Sequence, residues 1–283
     1  MGKQFWVCLF ALTMVTQSVF ADYVFMPIGD SITSGFHGTP AGNYRDMMQS
    51  QLDRAGVEYD FVGQYKLGYL DKDHQGLAGA DIAYMTNNWG RVVGRYQPDF
   101  ALVLAGTNDH WSPPNFAAFY TLYDNLVNMI QTNSPHTSII ISTVPRFGYG
   151  GPPGANYWSN AWVNNRNSVV FPNMNAAIRA VAANHKNVTV VDFYSALSIK
   201  TDLASDGIHP NLYGQQKLAK LFGDEALRQI RSPPISDPSD SRRRGPMSDP
   251  IGISAIPEPT LGFLGVLLVI GIGLSRTTRR STV

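Results

Sequence analysis

Around position 30 the chain reads Phe25-Met26-Pro27-Ile28-Gly29-Asp30-Ser31-Ile32-Thr33-Ser34-Gly35. The apolar run over residues 23–28 predicts a short buried strand, which Gly29-Asp30-Ser31 ends abruptly. A strand that ends in a turn of small residues presents the Ser31 hydroxyl at the carboxyl edge of a sheet, where open α/β sheets bind their ligands. Taken alone, Gly-Asp-Ser is equally an ordinary turn, because all three residue types favour turns.

Strand-like and helix-like patterns alternate along the chain that follows. The other predicted strands cover residues 58–62, 100–105, 138–143 and 188–191. The predicted helices cover residues 44–55, 82–96, 115–132, 161–183 (broken near Pro172) and 212–230, and residues 64–81 read as a long loop. This alternation predicts an α/β domain over residues 22–231, in which helices cover both faces of a parallel five-stranded sheet in three α/β/α layers.

The composition is that of an ordinary globular chain with little net charge. Hydrophobic residues make up 44% of the 283 residues, charged residues make up 15%, and the formal net charge is +1. So small a charge gives no electrostatic reason to expect a nucleic-acid partner. The single cysteine, Cys8, lies within the first apolar run, so disulfides give no information on the compartment.

Residues 1–21 have the pattern of a secretory signal peptide. Lys3 precedes an apolar run over residues 5–15, and Val19-Phe20-Ala21 places small residues at −3 and −1 from a cleavage site between Ala21 and Asp22. The alternative is an uncleaved membrane anchor, although the apolar run is short for a membrane span. We therefore predict that the protein is exported.

The composition changes sharply after residue 231. Residues 232–256 are rich in Pro, Ser and Arg, which predicts a disordered linker. Residues 257–283 begin with Pro257-Glu258-Pro259 and continue into an apolar run and terminal arginines. The 15 residues from 260 to 274 would reach about 22 Å as a helix, which is short of the ~30 Å hydrocarbon core and predicts a poor permanent span.

Four separated blocks contain residues of the types that catalysis uses. They are Gly29-Asp30-Ser31 after the first strand, Gly76-Leu77-Ala78-Gly79 in the long loop, Gly106-Thr107-Asn108-Asp109 after the third strand, and Asp206-Gly207-Ile208-His209-Pro210 before the last helix. Loops that leave the carboxyl ends of parallel strands gather at one edge of the sheet, so we expect these blocks to converge.

Together the blocks hold the groups that acyl transfer requires. Ser31 is the candidate nucleophile, and His209 is the candidate base that takes its proton. Asp206 can fix the imidazole tautomer and stabilise the imidazolium. The backbone N–H groups of Ser31 and Gly79, with the Asn108 amide as a third donor, are the candidate oxyanion hole.

Other interpretations of these residues stay open. Asn108 fits a helix cap, Asp206-Gly207 fits a plain turn, and His110 is a competing candidate for the base. The residues we expect to contact a substrate are Asp30, His74, Trp111 and Trp158. The aromatic residues around Trp158 suit sugar rings but could equally pack their long loop onto the domain.

The four blocks, in this order, resemble the SGNH hydrolase superfamily of GDSL-type esterases and lipases. The positions that match its motif residues are Ser31, Gly79, Asn108, Asp206 and His209. The resemblance extends over nearly all of residues 23–230. It implies a flavodoxin-like sheet and no obligatory redox or nucleotide cofactor, and we predict neither a cofactor nor a metal site.

Parts of the same domain are similar to carbohydrate esterase family 3. The similar segments are Met26-Pro27-Ile28-Gly29-Asp30-Ser31-Ile32-Thr33, Tyr44-Arg45, Asp60-Phe61-Val62-Gly63 and Asp73-His74-Gln75-Gly76. The last segment resembles a His-Glu-Gly pattern with Gln75 in place of Glu. Members of that family are similar to acetylxylan esterases, so the resemblance implies removal of acetyl groups from a polysaccharide.

The carboxyl-terminal segment, residues 257–283, resembles the PEP-CTERM sorting signal of Gram-negative bacteria. The resemblance implies an exosortase-like processing enzyme as a partner beside signal peptidase, with transient membrane anchoring and a final place at the cell surface or outside the cell. The alternative is a simple carboxyl-terminal membrane anchor.

From these patterns we predict a secreted serine esterase, a carboxylic ester hydrolase that cleaves short acyl esters, above all O-acetyl esters, on a polysaccharide. One alternative is a GDSL-type lipase or thioesterase that acts on longer acyl chains. The other is a non-catalytic surface protein that binds carbohydrate.

Overall fold

The computed structural model describes residues 23–35, 43–111, 115–150 and 158–231. The predicted signal peptide, linker and PEP-CTERM-like segment lie outside these residues. The strands are β1 (Tyr23–Gly29), β2 (Tyr59–Phe61), β3 (Tyr65–Lys66), β4 (Asp73–Gly76), β5 (Phe100–Leu104), β6 (Ser138–Ser142) and β7 (Val188–Val191). The helices are α1 (Ser31–Ser34), α2 (Tyr44–Arg54), α3 (Ile82–Asn88), α4 (Gly90–Tyr96), α5 (Phe116–Asn133), α6 (Asn160–Asn165), α7 (Phe171–Asn184), α8 (Phe193–Ala196) and α9 (Leu212–Arg231), with a 3₁₀ turn at Asn108–Trp111.

The five strands predicted from sequence form a parallel sheet in the order β2-β1-β5-β6-β7. This is the strand order of flavodoxin-like folds, so the predicted fold class is confirmed. Strand β4 adds to the β2 side of β1, and the register places Gly29 opposite both Gly76 and Leu104. The pairing alone therefore sets the carboxyl ends of β1, β4 and β5 side by side.

Alternate residues of the strands enter two different hydrophobic cores. Met26 and Ile28 of β1 pack into the core covered by α3, α4, α5 and α7, whereas Phe25 packs into the core covered by α2, α8 and α9. Because side chains alternate across a strand, both faces of the sheet need a helical cover. The result is the predicted α/β/α arrangement.

The structure differs from the sequence prediction in two elements. The segment 64–81, predicted to be a loop, contains β3 and β4, which have only two and four residues and so no readable periodicity. The predicted helix over 82–96 is two helices separated at Trp89, whose side chain is buried. The predicted break near Pro172 coincides with a π-helical turn, Arg166–Val170, between α6 and α7. In the described ranges, no helix has both the length and the apolar character needed to cross a membrane.

Candidate active site

Ser31 is the first residue of α1, and only Asp30 separates it from the end of β1. The Asp30 Oδ1 caps this helix by accepting a hydrogen bond from the Ile32 N–H at 2.9 Å. A Cβ at Gly29 would lie 2.2 Å from Thr33 Oγ1 and 2.4 Å from the Leu104 carbonyl, so only glycine lets α1 fold back over the strand end. Ser31 thus lies at the carboxyl edge of the sheet, and its N–H has no acceptor inside the helix.

His209 joins Ser31 to Asp206 through two short hydrogen bonds. Its Nε2 lies 2.8 Å from Ser31 Oγ, and its Nδ1 lies 2.6 Å from Asp206 Oδ2. Because the Asp206 carboxylate can only accept, the Nδ1 of His209 carries the proton and donates it to that carboxylate. The Nε2 then accepts a hydrogen bond from the Ser31 hydroxyl. The structure therefore brings together the predicted nucleophile, the predicted base and the carboxylate predicted to orient that base. Their geometry lets the imidazole take a hydroxyl proton.

The Asp206 carboxylate is held by its own turn as well as by His209. Its Oδ1 accepts hydrogen bonds from the N–H groups of Ile208 and His209, at 2.8 and 3.0 Å. Burial opposes ionisation of Asp206, but the hydrogen bonds from the His209 side chain and from these two N–H groups prevail and lower its pKa to about 2. Asp206 is therefore a carboxylate at neutral pH, able to stabilise a charged imidazole.

Gly79 and Asn108 lie on neighbouring segments beside the Ser31 turn. Gly79 has a φ of +82°, a left-handed conformation that favours glycine, and a Cβ there would meet no atom within 4 Å. The Asn108 Nδ2 donates to the Ala80 carbonyl at 2.9 Å, which uses one of its two hydrogens. Both residues can thus present an N–H to a ligand at this edge.

Asp30 and His74 do not fit the expectation that they contact a substrate. Their exposed fractions are 0% and 1%. Asp30 turns back to cap α1, and His74 Nδ1 accepts from the Gly76 N–H at 3.1 Å. Burial raises the pKa of Asp30 to about 6; burial, with the Arg45 charge, lowers that of His74 to about 2. Both side chains lie beneath the surface, because the blocks that contain them are strand ends packed under the site.

Trp158 contacts the Asp206 turn directly. Its indole Nε1–H donates to the Asp206 carbonyl at 3.2 Å, and its ring stacks on Trp162 with centroids 4.9 Å apart. The Arg166 guanidinium covers the other ring of this pair at 4.8 Å. The aromatic residues therefore pack against the site's own loop, while Trp158 stays partly exposed beside it. The side chain of Trp111 is outside what the structure describes.

The side chain of His110, the competing candidate for the base, packs in the interior and not against Ser31 Oγ. It is 1% exposed, its Nδ1 contacts the Thr107 carbonyl, and its ring packs edge-on against Phe147 and Trp162. Burial lowers its pKa to about 4. The hydrogen bond to Ser31 Oγ is made by His209.

Asp109 lies next to the site, and it was not among the residues predicted to form it. The Asp109 Oδ2 accepts a hydrogen bond from the Ile82 N–H at 3.3 Å, across to the segment that contains Gly79. The only signal in the sequence was its place in Gly106-Thr107-Asn108-Asp109, and a long-range backbone contact of this kind has no local pattern. In the described part of the chain, no group of three or more His, Cys, Asp or Glu residues is arranged to hold a metal ion.

The chain is similar in sequence to known acylhydrolases and esterases. The family model described as GDSL-like Lipase/Acylhydrolase matches residues 28–217. The chain is 28% identical to a multidomain esterase of Ruminococcus flavefaciens, with 70% of this chain and 27% of that protein covered, so it spans about a quarter of that relative's length.

Solved structures of the same fold are also similar. A family 3 carbohydrate esterase of Clostridium thermocellum is 26% identical with a TM-score of 0.59, and the match covers 74% of this chain and 98% of that one. A family 3 carbohydrate esterase of Talaromyces cellulolyticus is 23% identical with a TM-score of 0.60 and the same coverage, which is a likeness of fold.

Proposed function

The chain belongs to the GDSL-like lipase/acylhydrolase family, and we propose that it is an exported serine esterase that removes short acyl groups, above all acetyl, from a polysaccharide. The observation that carries the proposal is the line of hydrogen bonds from Ser31 Oγ through His209 to Asp206 at the carboxyl edge of the sheet. An imidazole so placed activates a serine hydroxyl for attack on an ester carbonyl.

In the first half of the reaction, Ser31 Oγ forms a bond to the ester carbonyl carbon while its proton passes to His209 Nε2. The imidazolium is stabilised by the Asp206 carboxylate on Nδ1. The carbonyl oxygen becomes an oxyanion, which accepts hydrogen bonds from the N–H groups of Ser31 and Gly79 and from the Asn108 amide. The bond to the sugar oxygen then breaks, and His209 returns the proton to that oxygen, which leaves an acyl-serine.

In the second half, a water molecule attacks the acyl-serine. His209 Nε2 takes one proton of the water as its oxygen bonds to the carbonyl carbon, and the same donors hold the second oxyanion. When the bond to Ser31 Oγ breaks, the proton on His209 returns to that oxygen. Acetic acid, which carries the second proton of the water, leaves and loses that proton to the solvent as acetate. The starting protonation of all three residues is then restored.

The carbohydrate substrate is supported by the similar proteins and by the surface beside the site. A structural relative is a carbohydrate esterase, and a relative by sequence is an esterase. Trp158, partly exposed and stacked on Trp162, offers an indole face next to Asp206. Aromatic faces of this kind pack well against the apolar faces of sugar rings.

We further propose that the protein acts outside the cytoplasm of a Gram-negative bacterium. The signal-peptide pattern of residues 1–21 and the PEP-CTERM-like pattern of residues 257–283 support this proposal. Signal peptidase and an exosortase-like enzyme would be the processing partners. Mass spectrometry of the protein recovered from its host tests this: the expected amino terminus is Asp22, and an intact carboxyl terminus at Val283 would contradict the processing.

The acyl specificity is tested with p-nitrophenyl esters of increasing chain length. A long-chain lipase gains roughly 0.8 kcal/mol for each CH₂ that its acyl groove buries. We expect kcat/KM to be highest for acetate and to fall steeply by butyrate or hexanoate. A kcat/KM that instead rises through octanoate would exclude the deacetylase and favour a lipase or thioesterase.

A further inference from the structure

Two hydrogen bonds connect the segment that contains Gly79 to the turn that contains Asn108. The Asn108 Nδ2 donates to the Ala80 carbonyl at 2.9 Å, and the Ile82 N–H donates to Asp109 Oδ2 at 3.3 Å. On the other side of Gly79, the Leu77 N–H donates to the Gly29 carbonyl at 3.0 Å. Gly79 thus lies between one hydrogen bond to the end of β1 and two hydrogen bonds to the Asn108–Asp109 turn.

Gly79 has no side chain that could hold it in place, and a Cβ built on it would meet nothing within 4 Å. Its φ of +82° belongs to a turn that is closed by the hydrogen bond from the Ala80 N–H to the Leu77 carbonyl at 3.1 Å. An oxyanion donor, however, must be held within about 0.5 Å of its productive position. This turn shapes the backbone at Gly79, and the position of the Gly79 N–H relative to Ser31 therefore depends on the hydrogen bonds that join the turn to β1 and to the Asn108–Asp109 turn.

We propose that Asp109 is a positioning residue, whose Oδ2 accepts from the Ile82 N–H and thereby aims the Gly79 N–H at the oxyanion. The inference rests on the proposed esterase function and assigns a role to a residue outside the predicted site. Asp109 touches neither the nucleophile nor the base. It acts through three backbone units, from Ile82 back to Gly79.

The surroundings of Asp109 support a functional role for this side chain. Burial raises its pKa to about 7, the Ile82 hydrogen bond works in the opposite direction, and the Asp81 and Asp30 carboxylates raise it further. The charges of Asp109, which is partly buried, and of Asp30, which is fully buried, also raise the pKa of the buried Tyr123 hydroxyl. Holding an acid among other acids is unfavourable for folding, and such groups concentrate at functional sites.

The proposal is tested by kinetics of Asp109→Ala and Asp109→Asn on p-nitrophenyl acetate. Alanine removes the acceptor, so kcat should fall about 10- to 100-fold with KM within about twofold, because the donor acts on the transition state. Asparagine keeps an oxygen at the same place, so its kcat should stay within about threefold of wild type. Equal losses in the two variants, or no loss in alanine, would overturn the proposal.

Asp99→Ala is a matched control at the opposite edge of the sheet. Its Oδ2 also accepts one backbone N–H from another element, that of Val24 at 2.9 Å. Removing it should lower the melting temperature but leave kcat unchanged. A fall of kcat in Asp99→Ala as large as in Asp109→Ala would mean that lost stability, and not position, explains the effect.

The same bond can be removed from its other end. Ile82 is the first residue of α3, where proline is tolerated, and Asp81 before it has an extended backbone that suits a following proline. Ile82→Pro deletes the N–H, and Ile82→Ala controls for the lost side chain. We expect a lower kcat for proline than for alanine, with no further loss when Asp109→Ala is added. If Asp109→Ala does not fold, the comparison of Ile82→Pro with Ile82→Ala alone tests the positioning role, and equal kcat in these two variants would contradict it. If Asp109→Ala does fold, additive losses of kcat in the double variant would contradict it.

The outcome can be separated from a failure of the esterase function itself. If Ser31→Ala retains full activity, the proposed function is wrong and the Asp109 proposal falls with it. If Ser31→Ala is inactive while the Asp109 and Ile82 variants turn over normally, only the positioning role is wrong.

Discussion

At the scale of single residues, the reactivity of Ser31 depends on a partner 178 positions away in the chain. The Ser31–His209–Asp206 arrangement acts as a unit, so removing one member removes most of what the others contribute. We expect Ser31→Ala and His209→Ala each to lower kcat by several orders of magnitude, and Asp206→Asn to be severe but milder. Steady-state kinetics on p-nitrophenyl acetate provides the measurement.

His110→Ala is the counterpart for the assignment of the base. Its ring packs on Phe147 and Trp162, and the hydrogen bond to Ser31 Oγ is made by His209. Loss of stability is therefore expected, with kcat of the folded enzyme largely retained. Near-wild-type turnover in His209→Ala together with inactivity in His110→Ala would show that the base is assigned to the wrong histidine.

Asn108 has two functions in this structure, as an anchor of Ala80 and as a candidate oxyanion donor. Removal of one oxyanion donor lowers kcat by roughly 10²–10³, and we expect a loss of this size for Asn108→Ala. The exposed Asn128, which also donates through Nδ2 at 2.9 Å, is the matched control, and Asn128→Ala should leave kcat unchanged. A loss confined to KM in Asn108→Ala would contradict the role as donor.

Asp30 connects the site to the pH dependence of stability. Burial raises its pKa from 3.8 to about 6, so the folded state binds its proton more tightly than the unfolded chain does. Its contribution is therefore present in full below about pH 3.8 and is lost as the pH rises through 6, a change of about 3 kcal/mol in the free energy of unfolding. Asp30→Asn keeps the helix-capping oxygen but cannot ionise.

Urea unfolding at pH 4 and pH 7 tests the Asp30 prediction. The stability of Asp30→Asn relative to wild type should rise by up to about 3 kcal/mol between the two pH values. An equal difference at both pH values would show that Asp30 titrates normally in the folded protein.

A site residue could be predicted from sequence where a local motif marks it, but not where tertiary packing decides the direction of its side chain. Ser31, Gly79 and Asn108 could be predicted to lie together because each stands in a short block near a strand end, and parallel pairing brings strand ends together. Asp206 and His209 could be predicted as their partners from the short Asp-x-x-His block before the last helix. The expected substrate contacts of Asp30 and His74 do not fit, because the direction of a side chain at a strand end depends on what packs beneath it. Asp109 was missed for a related reason: its partner, Ile82, is distant in sequence.

At the scale of elements, α2 organises the loop between β3 and β4. Arg45 is fully buried and donates to the carbonyls of Thr33, Ser34, Leu67 and Lys72. Asp46 Oδ1 accepts from the N–H groups of Tyr69 and Leu70, at 2.9 and 3.1 Å. Polar side chains of one helix thus satisfy the backbone of a loop that has little regular structure of its own.

The Arg45 network makes a prediction about stability. Arg45→Met would fill similar volume but leave several carbonyls without their donor, at a cost of about 1–3 kcal/mol for each that stays buried. We expect a loss of at least 3 kcal/mol in the free energy of unfolding. Arg54→Ala, at the exposed end of the same helix, should stay within about 0.5 kcal/mol of wild type. Equal effects in urea unfolding would contradict a structural role for Arg45.

The elements themselves were predictable where their patterns were long. The five parallel strands and the amphipathic helices α5 and α9 follow from apolar runs and helical spacing. Strands β3 and β4 could not be predicted, because segments of two and four residues show no periodicity. Their pairing, of Tyr65 with His74, forms only once the loop between them has folded. The separation of α3 from α4 depends on the burial of Trp89, which tertiary packing decides.

At the scale of the whole molecule, the fold follows from the order of the strands, whereas the substrate depends on loops. The register of β1 with β4 and β5 places three of the four blocks together before any side chain is considered. The fourth block is placed by its own contacts, including the Ala204 N–H to the His209 carbonyl at 2.8 Å. No comparable rule specifies which polymer a loop surface accepts, so the sequence predicts the reaction class better than the substrate.

The most direct test of the central claim is acetate release from acetylated polysaccharide by the whole protein. Wild type, Ser31→Ala and His209→Ala would be incubated with acetylated xylan, acetylated pectin and the host's own exopolysaccharide, and free acetate would be measured over time. We predict that wild type releases acetate from at least one polymer and that both variants reduce the rate by several orders of magnitude. Release that is undiminished in Ser31→Ala, or activity confined to long-chain esters with none on any acetylated polymer, would contradict this prediction.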